Sequence, residues 1–238
     1  MSLELRHPMT GLWLTETDPN FQRWRELPNA KLWLSGIPGG GKTVLCGSVI
    51  ETILQESDDS TAVCYAFCDY KDFKTHLPEN ILAALVVQLG QQNEEAFDLL
   101  EEYFDQLNPE NQLQKQPRPE NLLLLIEDMA CVFEKVHLIV DGLDECGDNI
   151  VSMVQSLKSV ADSSPTISSA FFSRKEEEIR EELEESFDQI EIEAHTEDLE
   201  AYTLTQISQR KALKKLEITN QSLHDEIFHT LVQGARGM

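Results

Sequence analysis

A three-layer α/β fold with a mainly parallel sheet, followed by a small C-terminal helical segment, is the architecture this sequence predicts. Three observations predict it. A glycine-rich turn, Gly36-Ile37-Pro38-Gly39-Gly40-Gly41-Lys42-Thr43, joins a short apolar run to a helical stretch. A second apolar run, Val136-His137-Leu138-Ile139-Val140, ends in Asp141. Strand-like and helix-like segments alternate through the first 195 residues, the pattern of parallel strands joined by helical crossovers.

Residues 1–28 read as a polar lead-in carrying Trp13, Phe21 and Trp24, punctuated at Thr10-Gly11 and Pro19-Asn20. The core, residues 29–195, opens with a strand at Lys31–Leu34, the glycine-rich loop, and a helix from Val44 to about Gln55. Asp58-Asp59-Ser60 is a turn. Thr61 to Phe67 is rich in β-branched and aromatic residues and reads as a strand. Pro78 opens a helix whose Ile81, Leu82, Leu85, Val86 and Leu89 share one face. A further amphipathic helix is expected from about Asn93 to Leu107. The proline-bearing stretch Asn108–Pro119 is a loop, and Asn121–Phe133 is helical again. Val136–Val140 has the apolar continuity of a buried parallel strand. A helix at Asn149–Ala161, a strand at Thr166–Phe172, an acidic helix at Lys175–Ser186 and a short last strand at Glu191–Ala194 complete the core. The acidic helix reads as a solvated face with Ile179 and Leu183 turned inward. Residues 196–238 are the helical segment, with helices at about Thr196–Arg210 and Gln221–Gln233.

Composition narrows the function. The 238 residues include 43 acidic and 19 basic side chains, a formal net charge of −24. Such a surface repels nucleic-acid backbones and anionic membranes, so no nucleic-acid or membrane partner is expected. A polyphosphate ligand must then be held by a local positive site. Cys46, Cys64, Cys68, Cys131 and Cys146 show no paired metal-site spacing and are odd in number, which argues against a zinc site or a disulfide framework. A reducing, intracellular setting fits, and with no apolar leader or membrane-spanning run the expected location is cytoplasmic.

The loop carries the chemistry. A glycine, four free positions and Gly-Lys-Thr match the phosphate-binding loop, here set between a strand and a helix as that pattern requires. The first turn of a helix offers unpaired N–H groups and partial positive charge. Glycines let the backbone curl close to an oxyanion. Gly36, Ile37, Pro38, Gly39, Gly40, Gly41, Lys42 and Thr43 are therefore the expected nucleotide-binding residues, with Pro38 only shaping the turn. Lys42 reaches the outer phosphates, and Thr43 holds Mg²⁺. An apolar strand ending in acid places Asp141 at the C-terminal edge of the sheet, where ligands of open α/β sheets bind. If that strand neighbours Lys31–Leu34, Asp141 lies near Thr43 and shares the metal. Gly142 is expected to leave space beside the metal. Asp144 or Glu145 then orients or deprotonates the attacking water; sequence does not say which. His137 reads as a packed strand residue rather than a ligand.

Here the chain resembles a known family. Asp141-Gly142-Leu143-Asp144-Glu145 is similar to the extended acidic motif of NACHT domains, in which a small residue, an apolar residue and a double acid follow the metal-binding aspartate. These domains belong to the signal-transduction (STAND) P-loop NTPases, which include NOD-like receptors and fungal incompatibility proteins. Thr10-Gly11-Leu12-Trp13-Leu14, the Gly36–Thr43 loop, Asp144-Glu145-Cys146 and the closing Leu231-Val232-Gln233-Gly234-Ala235-Arg236-Gly237-Met238 together resemble the fungal branch. The resemblance implies a P-loop NTPase fold and Mg²⁺-dependent binding of ATP or GTP. It implies slow hydrolysis as a conformational switch in innate-immunity or incompatibility signalling, and self-association or contact with other signalling domains. It also implies that Arg174, after Ser173, senses the γ-phosphate; as a bare residue, Arg174 reads equally as a surface arginine paired with nearby glutamates. The segment around Arg6 and Thr10 resembles the base-contacting stretch. Family members carry an effector domain before this module and a winged-helix region with repeats after it. The winged-helix histidine that holds the diphosphate state closed has no counterpart here, so the chain reads as a fragment or as a stand-alone module without that lock.

Other functions are open at this level. A scaffold that keeps its nucleotide without hydrolysis needs the same loop. A small-molecule kinase usually brings an arginine-rich lid, and none stands out. The guanine-reading Asn/Thr-Lys-x-Asp run of regulatory GTPases is missing after the second motif, which favours adenine.

Overall fold

In a computed structural model, residues 11–109, 113–192, 196–213, 216 and 220–234 are described. The expected base contacts at Arg6 and Thr10, and Ala235 to Met238 of the closing motif, lie outside the described residues. The lead-in is more structured than its polarity suggests. A single wide turn at Trp13–Thr17 precedes helix α1, Pro19–Glu26. Asp18 caps α1, its Oδ1 accepting from the amides of Asn20 (2.9 Å) and Phe21 (3.0 Å). Pro19 occupies the first helical position, where its missing N–H costs nothing. The Pro19-Asn20 punctuation is thus a helix start.

The core follows in chain order as β1 (Lys31–Gly36), α2 (Lys42–Glu56), β2 (Thr61–Phe67), α3 (Pro78–Gly90), α4 (Glu94–Leu107), α5 (Pro119–Ala130), β3 (Lys135–Asp141), α6 (Ile150–Ser163), β4 (Ile167–Ser173), α7 (Glu177–Leu183) and β5 (Asp188–Ile192). Two further helices, α8 (Thr196–Ala212) and α9 (Gln221–Gly234), pack against each other. The last strand begins at Asp188, three residues before its expected start, straight after buried Phe187. The acidic α7 is a solvated helix that seats Ile179 and Leu183 in the core.

Among the described residues all five strands are parallel, in the order β2-β3-β4-β1-β5. Alternation along β1 builds the layers. Trp33 faces the core made with α3, α5, α6 and α7. Leu32 and Leu34 face the opposite core, with Phe21 and Trp24 of α1 and Leu45, Val49 and Ile50 of α2. Each such buried side chain contributes about 1.5–3 kcal/mol relative to exposure. The order corrects one expectation: β3 does not neighbour β1. β4 lies between them, paired with both. All seven residues of β4 are buried, so its apolar run of Ala170, Phe171 and Phe172 satisfies two neighbours at once. No helix among the described residues is long and apolar enough to cross a membrane.

Candidate phosphate-binding cleft

The C-terminal ends of β1, β2, β3 and β4 surround a cleft of about 510 Å³. On one side β1 gives way to the loop. Gly36 pairs with Ile192 of β5, whose carbonyl would lie 2.9 Å from an added Cβ. Gly39 and Gly41 have φ of 77° and 84°, a region that disfavours side chains. A Cβ at either would meet no protein atom within 4 Å. Their bareness therefore serves the turn and the open space above it, not packing. The Gly40 amide closes the turn onto the Ile37 carbonyl (3.1 Å). α2 starts at Lys42 and aims its first-turn amides into the cleft mouth.

Lys42 folds back on its own loop. Its Nζ donates to the Gly36 carbonyl (2.8 Å) and the Ile37 carbonyl (3.0 Å). Burial pulls its pKa below the ordinary lysine value, against the opposing pull of Asp144 and Asp141. The Thr43 hydroxyl donates to the Asp141 carboxylate. Asp141 is only 4% exposed. Burial raises its pKa to about 6, against the favourable Thr43 hydrogen bond and Lys42, while Asp144 and Glu145 push it higher. The Thr43–Asp141 contact forms although β4 lies between β1 and β3, because β3 ends and α2 begins at the cleft.

Gly142 turns the chain out of β3 with φ of 78°, its amide bound to the Phe172 carbonyl (3.0 Å). An added Cβ there would lie 2.5 Å from the Cys68 carbonyl. The space Gly142 leaves is thus filled by the Cys68 carbonyl, just past β2. The two acids after it part company. Asp144 Oδ1 accepts from the Arg174 amide (2.8 Å) and Oδ2 pairs with Arg174 Nε (3.0 Å). The carboxylate is almost fully buried, while the arginine side chain is about half exposed at the cleft. Glu145 Oε2 accepts from the Tyr70 amide (3.2 Å). Arg174 is held from behind as well: Trp33 Nε1 donates to Ser173 Oγ (2.8 Å), which donates to the Arg174 carbonyl (2.8 Å). Arg174 is therefore an ion-pair partner of Asp144 and not of the glutamates of α7.

Of the residues expected at the site, Pro38, Gly39, Gly40, Gly41, Lys42, Thr43, Asp141, Asp144, Glu145 and Arg174 line the cleft. Gly36 and Ile37 do not; they contribute the carbonyls that hold Lys42. Sequence reasoning missed a wall made by Phe67, Cys68 and Asp69. The available signal was the end of strand Thr61–Phe67, which shares the ligand-binding edge of a parallel sheet. The Cys68 thiol touches that of Cys146, and this contact with burial pushes its pKa far up. Cys68 is thus a neutral wall residue. For Mg²⁺ the donors fit: a hydroxyl and a carboxylate are hard oxygen ligands, and such sites draw their remaining ligands from phosphate and water. Among the described residues no group of three or more His, Cys, Asp and Glu side chains is arranged to cage a metal by itself.

Residues 9–174 match the family described as nephrocystin 3, N-terminal. The vegetative incompatibility protein HET-E-1 of Podospora anserina is 25% identical over 171 residues, which is 69% of this chain and 12% of that protein. The chain thus spans a small part of that relative's length. Among solved structures, a DNA replication initiation factor superposes with a TM-score of 0.52 at 11% identity, covering 99% of this chain and 60% of that one. The Walker-type ATPase of Pyrococcus abyssi gives 0.51 at 10% identity, covering 98% and 66%. These two share the fold.

Proposed function

Because the chain belongs to the nephrocystin 3, N-terminal family and is a NACHT-type signal-transduction P-loop NTPase of the fungal branch, we propose that it is a nucleotide-operated switch. In this reading it binds ATP, or GTP, with Mg²⁺ and hydrolyses it slowly. The observation that carries the reading is the convergence of Lys42, the Thr43–Asp141 pair and Arg174 on one cleft, from three separate stretches of chain.

Each residue has a task. The loop amides wrap the diphosphate. Lys42 exchanges two neutral carbonyls for charged phosphate oxygens, a stronger acceptor. Thr43 and Asp141 would hold Mg²⁺, which would supply charge neutralisation to the bound phosphates. Asp144 takes the amide and Nε of Arg174, leaving the two terminal nitrogens to meet a γ-phosphate. In this reading Glu145, the acid that Arg174 does not hold, handles the water. ADP after hydrolysis leaves Arg174 without its phosphate partner, so the two states differ in what Arg174 touches. The output is self-association or exposure of a surface to other signalling domains, consistent with the incompatibility protein among its relatives. The net charge of −24 disfavours nucleic acid and anionic membrane as partners, and five free thiols suit the cytoplasm.

One observation favours a second reading, a scaffold that binds nucleotide and never hydrolyses it: both acids are already engaged, Asp144 by Arg174 and Glu145 by the Tyr70 amide. Calorimetry with Mg·ATP and Mg·GTP, and phosphate release by the parent and Glu145→Gln, separate the two. Binding with turnover that Glu145→Gln abolishes supports the switch. Binding without turnover in the parent leaves the scaffold. No heat with either nucleotide, on folded protein, ends both.

A further inference from the structure

Glu145 is held by a main-chain group, and the residues that aim that group lie elsewhere in sequence. The Tyr70 N–H that meets Glu145 belongs to the Asp69–Tyr70 peptide. In a planar trans peptide the carbonyl and N–H point in opposite directions, so holding one aims the other. The Asp69 carbonyl is held on three sides. The Asp72 amide donates to it (2.9 Å). The Thr75 hydroxyl donates to it (3.2 Å), sharing its proton with the Asp72 carbonyl (2.8 Å). His76 Nε2 lies 3.1 Å away, and because a carbonyl only accepts, that nitrogen carries the hydrogen. The Thr75 oxygen also accepts from the Asp69 amide (2.9 Å), so one side chain grips both ends of Asp69. On its other edge His76 Nδ1 faces Gly147, 3.6 Å from where a Cβ would stand, in the turn that follows Glu145. We infer that Thr75 and His76 are positioning residues for Glu145: they lock the Asp69–Tyr70 peptide so that its N–H orients the carboxylate at the cleft. The inference rests on the reading of Glu145 as the acid that handles water.

The test uses the full chain. Thr75→Val keeps the shape and loses both hydroxyl roles; Thr75→Ser keeps them. Thr75→Val lowers kcat about tenfold while the Kd for Mg·ATP and the melting temperature hold, and Thr75→Ser restores it. Placed on Glu145→Gln, Thr75→Val has no further effect, because the group it positions is gone. His76→Phe, which removes the donor, behaves like Thr75→Val. Unchanged kcat in Thr75→Val, failure of Thr75→Ser to rescue, or an additive double variant overturns the inference. Should the parent release no phosphate, the hydrolysis reading falls by itself. The clamp is then read from amide hydrogen exchange at Tyr70. Faster exchange in both Thr75→Val and Glu145→Ala supports it, and unchanged exchange in either overturns it.

Discussion

Lys42 sits on two carbonyls of its own loop, and replacing it tests the loop without touching the core. Lys42→Ala weakens Mg·ATP binding about 100-fold, the scale of a lost charge-assisted contact; calorimetry reading an unchanged Kd contradicts the site. Gly142 is a second single-residue test. Gly142→Ala forces a Cβ onto the Cys68 carbonyl at positive φ. It lowers stability by about 3 kcal/mol, read as a fall in denaturation midpoint; a midpoint equal to that of the parent removes the steric argument. At this scale the sequence was readable where a motif names the side chain: Lys42, Thr43, Asp141 and Arg174 all line the cleft, as do Phe67 and Cys68, which no motif marks. It was silent on Tyr70, which contributes an amide that every residue but proline possesses. It also left Asp144 and Glu145 equivalent, because their different partners, Arg174 and the Tyr70 amide, come from other stretches of chain.

Elements were legible in proportion to how local their signals are. Strand Thr61–Phe67 stands where its β-branched run predicts. α1 was hidden in a polar lead-in, although Asp18-Pro19 is a cap followed by a first-turn proline. Asp18→Ala removes that cap and costs about 1 kcal/mol, measurable by urea unfolding; no loss means the helix is held only by Phe21 and Trp24. Strand order was not legible, since alternation fixes that strands are parallel but not which ones touch. β3 carries one buried liability. His137 lies among apolar neighbours, its ring 5.0 Å from that of Trp24, with Nδ1 lacking a hydrogen-bond partner among the described residues. Burial, helped by Lys135, depresses its pKa to about 3. The unfolded chain takes up a proton below about pH 6.5 and the folded chain does not. Stability is therefore complete above that pH and lost as pH falls toward 3. The parent loses about 2 kcal/mol to this residue between pH 8 and pH 5. His137→Leu removes that part of the loss; chemical denaturation at the two pH values reads it, and equal losses in parent and variant refute it. Asp141 acts oppositely in both proteins and cancels in the comparison.

Over the whole molecule the field opposes the ligand. A body with net charge −24 repels an anionic nucleotide at long range, so only the last few ångströms are attractive. Association of Mg·ATP therefore quickens as salt rises from about 50 to 500 mM, the reverse of what a basic phosphate-binding protein shows. Stopped-flow binding checks this, and a rate that falls with salt contradicts it. Architecture adds a constraint of a different kind. β4 is bonded along both flanks, to β1 and to β3, and every one of its residues is enclosed. A strand gripped so completely cannot slide by itself. Whatever the cleft registers about its cargo must leave through the turns standing in front of the sheet, with the five strands serving as the stator against which those turns move.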